Sequence, residues 1–144
     1  MPSFSNTSRR RLDTCDARIQ NILNQVIKYY DCKVLSGHRG KEEQNALYYS
    51  VPQRSKVKFP NSKHNKLPSL AVDVAPYPIP YEWGNDWRDR VKFYELKAII
   101  FYIAAQQGTK IRFGGDWDQD YDYKDNKFND LVHFEIVEWI IKYI

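Results

Sequence analysis

Residues 70–76 read LAVDVAP, and this short run constrains the fold more than any other stretch of the chain. The run is apolar and strand-like, and Asp73 is the one charged residue in it. A buried carboxylate without a partner costs several kcal/mol, because it loses its hydration and gains nothing in return. The fold must therefore bring a cation or a metal ion to Asp73.

Predicted helices lie near both ends of the chain, and strand-like runs lie between them. The first helix begins after an N-cap at Asp13 or Thr14 and ends near Asp31, because its apolar residues recur at helical intervals. Few, short strands separated by irregular segments indicate the α+β class. Further helices are predicted over residues 41–50 and 87–107, strands over 33–37, 71–75, 110–115 and 131–137, and a loop over 54–69.

Size and composition favour one folded domain. A chain of 144 residues with 42% hydrophobic residues matches one core, so we expect a single domain over residues 1–144. Its longest apolar run, residues 98–105, is far shorter than the ~20 residues of a membrane-spanning helix. The N-terminal stretch MPSFSNTSRRRLDTCD has no apolar segment after its arginines, so we expect no secretory signal and synthesis in the cytoplasm.

The chain carries a formal net charge of +4 at pH 7. A basic chain can bind nucleic acid, a membrane surface or an anionic polymer such as a cell wall. The charges look scattered along the sequence, and no basic stripe with interleaved aromatic residues emerges. Charge alone therefore identifies no partner, and we expect none among the nucleic acids.

The chain has only three histidines, His38, His64 and His133, and each is a candidate for chemistry. Taken singly, a histidine is more often structural than a ligand. Two imidazoles and one carboxylate, however, form the three-ligand set that leaves zinc an open fourth position. His64, Asp73 and His133 are such a set, since His133 lies in the strand-like run 131–137 and His64 in the loop before Asp73.

Two acidic residues beside His133 are candidates for proton transfer. Asp130 precedes His133 by three residues and is placed to act as general base and later as proton donor. The alternative for Asp130 is a turn residue within FND. Glu135 competes for the role of base, but on a strand it shares the face of His133 and is also suited to orienting that ligand.

Alternating aspartates at positions 116, 118, 120 and 122 resemble the start of a calcium-binding loop. An EF-hand requires glycine at its sixth position and glutamate at its twelfth, and this chain has Tyr121 and Lys127 there. We expect a solvated loop instead. Trp117 and its neighbouring tyrosines suit the rim of a substrate cleft, and a weaker calcium site stays open.

Four blocks in order carry a family resemblance: SGHRGKEEQNALY, SKHNKLPSLAVDVAPYP, IRFGGDWD and DLVHFEI. Together they resemble the phage endolysin branch of the zinc D-alanyl-D-alanine carboxypeptidases and L-alanyl-D-glutamate endopeptidases. The larger group includes lysostaphin-type peptidases and the hedgehog signalling domain. The resemblance covers residues 33–137 and implies a small, mainly antiparallel sheet with flanking helices.

The resemblance also implies roles for individual residues. The Ser-x-His of the family falls on Ser62 and His64, and the two other zinc ligands fall on Asp73 and His133. The catalytic carboxylate of the family falls on Asp130. An arginine that binds substrate or stabilises the oxyanion falls on Arg39, with Gln44 supporting the same wall. Two departures are an interval between His64 and Asp73 that is two residues longer than the broad pattern, and Val132 where phage relatives often have proline.

The function implied by the resemblance is that of a phage endolysin with one Zn²⁺ per chain. It would cut the peptidoglycan stem peptide, between L-Ala and D-Glu, or alternatively before a terminal D-Ala. Two alternatives of other classes are a zinc module that has lost catalysis and a wall-binding or nucleic-acid-binding domain with a structural metal. We expect a monomer without stable membrane insertion, made in the host cytoplasm and acting at the cell wall or periplasm after release.

Overall fold

A four-stranded antiparallel sheet carries the residues of interest, and helices flank it. The computed structural model describes residues 2–81, 83, 86–119 and 130–138. The helices are α1 (Asn6–Leu12), α2 (Ala17–Val26), α3 (Lys41–Tyr48) and α4 (Trp87–Gln106), and a 3₁₀ helix spans Lys63–Asn65. The strands are β1 (Cys32–Ser36), β2 (Ala71–Pro76), β3 (Ile111–Phe113) and β4 (His133–Ile136). The predicted α+β class, with a small antiparallel sheet, is confirmed.

The strand order β1-β2-β4-β3 places β2 and β4 side by side in the middle of the sheet. Their register sets Asp73 opposite His133. On the other side of β2, an irregularity in β1 sets Ser36 opposite Asp73. Such irregularities re-aim side chains next to functional sites. Strands far apart in the sequence thus meet at Asp73.

The N-terminal region contains one helix more than the sequence pattern predicts. Helix α1 begins after Ser5, whose hydroxyl accepts a hydrogen bond from the Ser8 N–H, and it ends at Leu12 with Asp13 as its C-cap. Asp16, rather than Asp13 or Thr14, is the N-cap of α2, and it accepts from the Arg18 N–H. Asp13 is occupied as the C-cap of α1, because its own N–H bonds to carbonyls of that helix.

Helix α2 also ends earlier than predicted, at Val26 instead of near Asp31. Tight turns follow it, with the Lys28 and Tyr29 N–H groups bonded to carbonyls three residues back. The Asp31 carbonyl accepts a hydrogen bond from the Tyr77 N–H, so Asp31 belongs to the edge of the sheet. Sheet pairing therefore overrides the helical periodicity at these positions.

The core lies between the sheet and helices α2 and α4. Burial of large apolar side chains there provides most of the driving force for folding. Within the described part of the chain, no helix is long and apolar enough to span a membrane. The helix prediction at 87–107 is met by α4, which is followed by Gly108 with a positive φ of 73°. The largest fully buried side chains include Phe93, Phe113, Phe134, Leu12, Ile22, Leu23, Leu96 and Ile100.

Gly114 packs against the turn that precedes β4, and this contact generates a prediction. A Cβ at Gly114 would lie 2.2 Å from the Asp130 carbonyl oxygen and 3.0 Å from the His133 Cβ. Gly114→Ala should therefore displace the turn and lower the free energy of unfolding by about 1 to 3 kcal/mol, as overpacked sites do. Urea denaturation followed by circular dichroism measures this change.

Gly40→Ala is the matched control for Gly114→Ala. A Cβ at Gly40 would meet no atom within 4 Å, and its φ of −78° suits any residue. Because Gly40 is the N-cap of α3, its replacement should cost less than about 1 kcal/mol. An equal loss of unfolding free energy in both variants would show that the contact with the Asp130 turn is not what makes Gly114 necessary.

Candidate metal centre

Three buried side chains converge on one point, and each offers one ligand atom. His64 Nε2 lies 3.2 Å from Asp73 Oδ1 and 3.3 Å from His133 Nδ1. His133 Nδ1 lies 3.3 Å from Asp73 Oδ1, which closes the triangle. The three residues are at most 8% exposed. The ligand set predicted from the sequence is therefore brought together as a group that can bind a metal ion.

The spacing of the three ligand atoms fits a tetrahedral metal. Bonds of about 2.0 to 2.1 Å, as zinc makes to imidazole and carboxylate, separate neighbouring ligands by about 3.3 to 3.4 Å. The observed edges of 3.2 to 3.3 Å match that separation without any rearrangement. Two nitrogens and one oxygen supply three of the four ligands of a tetrahedral zinc site, and in catalytic zinc sites the fourth is water or substrate.

His64 is held rigidly although it comes from a loop. The Ser62 hydroxyl accepts a hydrogen bond from the His64 N–H at 3.2 Å, and Asn65 Oδ1 accepts one from the Ser62 N–H. This capping box stabilises the 3₁₀ helix that carries His64. The His64 Nδ1–H donates to the Gly37 carbonyl at 2.7 Å, so Nε2 presents a lone pair to the triangle. The contacts of Ser62 are those of a local cap.

Asp73 uses its two carboxylate oxygens for different partners. Oδ1 belongs to the triangle, and Oδ2 accepts a hydrogen bond from the Arg39 guanidinium. Burial works to raise the pKa of Asp73, but the electrostatic effects and hydrogen bonds of His64 and His133 outweigh it and hold the pKa well below its usual value. The carboxylate is therefore ionised, as a metal ligand must be.

Arg39 is tied into the wall behind Asp73. Its Nε donates to Ser36 Oγ at 3.0 Å, and its Nη1, which does not contact Asp73, lies 3.5 Å from Gln44 Oε1. Gln44 is fully buried on α3 and donates to Ser55 Oγ at 2.8 Å and to the Val57 carbonyl at 2.7 Å. All three guanidinium nitrogens thus have protein partners, and the closest contact is with a metal-ligand candidate.

Glu135 lies behind His133 and faces away from the triangle. Its Oε1 is 2.9 Å from His133 Nε2, which leaves Nδ1 as the ligand atom. Its Oε2 forms ion pairs with Lys63 at 3.0 Å and Arg112 at 2.9 Å. Burial works to raise the pKa of Glu135, but the bond and charge of His133 and the two cations lower it to about 2. Glu135 is therefore a permanent acceptor for the His133 ring.

His133 experiences opposing effects from its surroundings. Burial works to lower its pKa, but hydrogen bonds to Asp73 and Glu135 raise it to about 9. A metal ion must displace the proton from Nδ1, so metal binding at neutral pH releases a proton. The negative partners that favour the protonated ring are the same groups that favour a cation at the centre.

Asp130 occupies a tight turn next to the triangle, outside the ligand set itself. Its N–H bonds to the Gly114 carbonyl, and its carbonyl accepts from the His133 N–H at 3.2 Å. The side chain accepts a hydrogen bond from the Val132 N–H. Burial and the charge of Asp73 raise the pKa of Asp130 against the opposing effects of His133, the Val132 N–H and Arg39. The sequence suggested either a turn residue or a carboxylate beside the metal site. In the structure Asp130 lies in a turn and also next to the triangle.

Trp117 forms a wall beside His133. The two ring centroids are 5.2 Å apart, and the Arg112 guanidinium lies 5.5 Å from the Trp117 ring. Asp116 is buried and Asp118 exposed, while positions 120, 121, 122 and 127 of the predicted acidic loop lie outside the described residues. His38 does not belong to the triangle, since its Nδ1 lies 3.0 Å from the Lys66 carbonyl.

Lys63 and Arg112 are the two residues of this site that the sequence analysis missed. Lys63 lies within the Ser62-Lys-His64 motif, where its position next to a ligand was the available signal. Arg112 had no such signal, because its contact with Glu135 follows from the pairing of β3 with β4.

Comparison with known proteins finds relatives that span most of the chain. The family model of the phage L-alanyl-D-glutamate peptidases matches residues 2–137. The L-alanyl-D-glutamate peptidase of Escherichia phage T5 is 29% identical over 126 residues, which cover 85% of this chain and 86% of that protein. The crystal structure of the Serratia marcescens L-Ala D-Glu endopeptidase ChiX matches with a TM-score of 0.67 at 18% identity, covering 94% of this chain and 91% of that one. At that identity the structural match supports the fold alone.

The contact between Glu135 and His133 generates a prediction about metal affinity. Glu135→Gln keeps an acceptor oxygen but removes the charge that balances Lys63 and Arg112. Loss of such a partner behind a metal ligand typically weakens binding 10- to 100-fold, and we expect a loss of about that size. Competition with a fluorescent zinc chelator measures it. Glu138→Gln, at an exposed acid paired with Arg18, should bind zinc like the unmodified protein, and equal affinities of both variants would contradict the role given to Glu135.

Proposed function

Because the chain belongs to the phage L-alanyl-D-glutamate peptidase family, we propose that it is a zinc peptidase that hydrolyses the L-Ala–D-Glu bond of the peptidoglycan stem peptide. The observation that carries the proposal is the triangle of His64, Asp73 and His133, with edges of 3.2 to 3.3 Å. Two histidines and one carboxylate with an open position are typical of catalytic rather than structural zinc sites. The relatives named for this activity support the choice of bond.

The metal and the protein side chains divide the chemistry. A zinc ion held by His64, Asp73 and His133 would supply Lewis acidity for polarising a carbonyl and acidifying water. His64 and His133 would hold the metal through the nitrogens that their partners, the Gly37 carbonyl and Glu135, leave free. These partners also fix the orientation of both rings, so little reorganisation is needed during the reaction.

Asp130 is the proposed general base. Asp130 is half-buried, and its carboxyl feels the charges of Asp73 and His133. Its raised pKa brings it closer to the range in which a group both accepts and donates protons near neutral pH. The Val132 N–H holds the carboxylate in place. Asp130 would accept a proton from the attacking water and later give it to the leaving amine of D-Glu.

Glu135 and Arg39 are better suited to positioning the metal ligands. Both oxygens of Glu135 are occupied by His133, Lys63 and Arg112. The guanidinium of Arg39 binds Oδ2 of Asp73 and thereby keeps Oδ1 directed at the metal. The oxyanion role that the family resemblance implies for Arg39 would require a further N–H to face the substrate.

Digestion of purified peptidoglycan tests the proposed bond and its dependence on zinc. We expect mass spectrometry to find fragments with a new D-Glu N-terminus. A chelator should abolish their release, and one equivalent of zinc should restore it. Release of terminal D-Ala alone would instead identify a carboxypeptidase.

Two histidine variants provide the matched comparison for this digestion. His64→Ala should neither bind zinc nor recover activity when zinc is added, because one of the three ligands is lost. His38→Ala, which alters a histidine bonded to the Lys66 carbonyl, should retain one zinc per chain and near-normal activity. Full zinc content in His64→Ala would disprove the site.

Asp130→Asn should separate metal binding from hydrolysis. The variant keeps the size of the side chain and touches no ligand atom, so we expect unchanged zinc affinity. Its kcat should fall by about 10²- to 10⁴-fold, the usual contribution of a general acid–base group. Asp13→Asn, at an exposed C-cap, is the control and should keep full activity. An active Asp130→Asn together with a zinc-loaded but inactive Glu135→Gln would reverse the assignment of the base.

A further inference from the structure

The basic charge of the chain is concentrated in the segment around His64. Residues 44–72 contain five of the 22 basic residues and none of the 18 acidic ones. The rest of the chain, with 17 basic and 18 acidic residues, is nearly neutral. The positive excess that looked scattered in the sequence therefore belongs to one segment, which also carries a metal-ligand candidate.

This segment is attached directly to the candidate metal centre. Gln44 bonds to Ser55 and to the Val57 carbonyl on one side and contacts Arg39 on the other. The His64 carbonyl accepts a hydrogen bond from the Arg39 N–H at 2.8 Å. Two rigid connections thus join the segment to the residue that holds Asp73.

Arg54, Lys58 and Lys66 are among the exposed basic side chains of the segment and are here called the basic rim. Within the part of the chain that the structure describes, the ion pairs involve none of them. Lys63 differs, because it is half-buried and paired with Glu135. The basic rim consequently presents positive charge to an external partner.

The proposed substrate carries a negative charge next to the bond that is cut. The scissile amide nitrogen of an L-Ala–D-Glu bond belongs to D-Glu, and only one of the two carboxyl groups of D-Glu is linked onward in the stem peptide. The other carboxylate remains free within one residue of the bond that is cut. A substrate placed for hydrolysis therefore brings a carboxylate close to the segment that holds His64.

We propose that the basic rim, Arg54, Lys58 and Lys66, is a docking surface for the free carboxylates of the acidic stem peptide. The proposal rests on the proposed function and adds a determinant of substrate specificity to it. Exposed charge pairs are individually weak and are screened beyond about 8 Å at physiological ionic strength. Three charges acting together increase the local concentration of an anionic substrate. They should therefore increase kcat/KM, and this increase should decline as salt is added.

A comparison of two substrates with two charge variants tests the proposal. The substrates are a soluble stem peptide with a free D-Glu carboxylate and the same peptide with that group amidated. The rim variant is Arg54→Gln, Lys58→Gln, Lys66→Gln. The control variant removes the same charge from exposed positions after α2 and on α4: Lys28→Gln, Arg90→Gln, Lys92→Gln.

The unmodified protein should favour the free carboxylate by about tenfold in kcat/KM at low salt, and the control variant should keep that preference. The rim variant should lose most of the preference while cleaving the amidated peptide at the rate of the unmodified protein. Unchanged unfolding midpoints would show that both variants are folded. An unchanged preference in the rim variant would overturn the proposal.

Two other outcomes also overturn the proposal and are distinct from each other. If the unmodified protein cleaves neither peptide, although it is loaded with zinc, the proposed function itself fails. The segment also exposes Val51 and Leu67, so phosphatidylglycerol vesicles provide a second binding assay. If the rim variant loses vesicle binding and keeps its preference between peptides, the rim is a surface for lipids instead.

Discussion

The buried carboxylate of Asp73 is the constraint on which the rest of this structure depends. It lies on β2, in the middle of the sheet, where an isolated negative charge would be strongly unfavourable. Three side chains contact the carboxylate: His64 from the 3₁₀ helix, His133 from β4 and Arg39 from the loop after β1. Contacts with one buried carboxylate therefore join three separate segments. A metal ion would complete the compensation of its negative charge.

A second layer of contacts converts this cluster into a site with defined chemistry. Each ligand candidate has one atom directed at the centre and another bonded to the protein: His64 to the Gly37 carbonyl, Asp73 to Arg39, and His133 to Glu135. These outer bonds select the ring nitrogen that can bind a metal, because a nitrogen that donates its proton to a neighbour has no free lone pair. The two histidines of the triangle lower the pKa of Asp73, and His133, Lys63 and Arg112 lower the pKa of Glu135.

The sequence predicted the ligand set because the relevant residue types are scarce and their surroundings are distinctive. Three histidines, and one acid within an apolar run, left few combinations to consider. The helix boundaries were predicted less well: α1 was missed, and α2 begins and ends elsewhere than its apolar periodicity indicates. There, capping by Asp13 and sheet pairing by Asp31 compete with the local pattern, and such competition depends on contacts that periodicity does not encode.

The sequence by itself determined the residue types available for metal chemistry, the class of fold and the family. The tertiary structure decided which of those residues face the metal centre and which hold the ligands in place. Glu135 and Arg112 meet because β3 pairs with β4, and Arg39 reaches Asp73 because an irregularity in β1 places Ser36 opposite it. The basic rim likewise becomes a feature of the site only because Gln44 and His64 connect its segment to Arg39. The physical reason is that hydrogen-bond geometry and burial are set by the pairing of distant segments, whereas local patterns report only which residues will be buried.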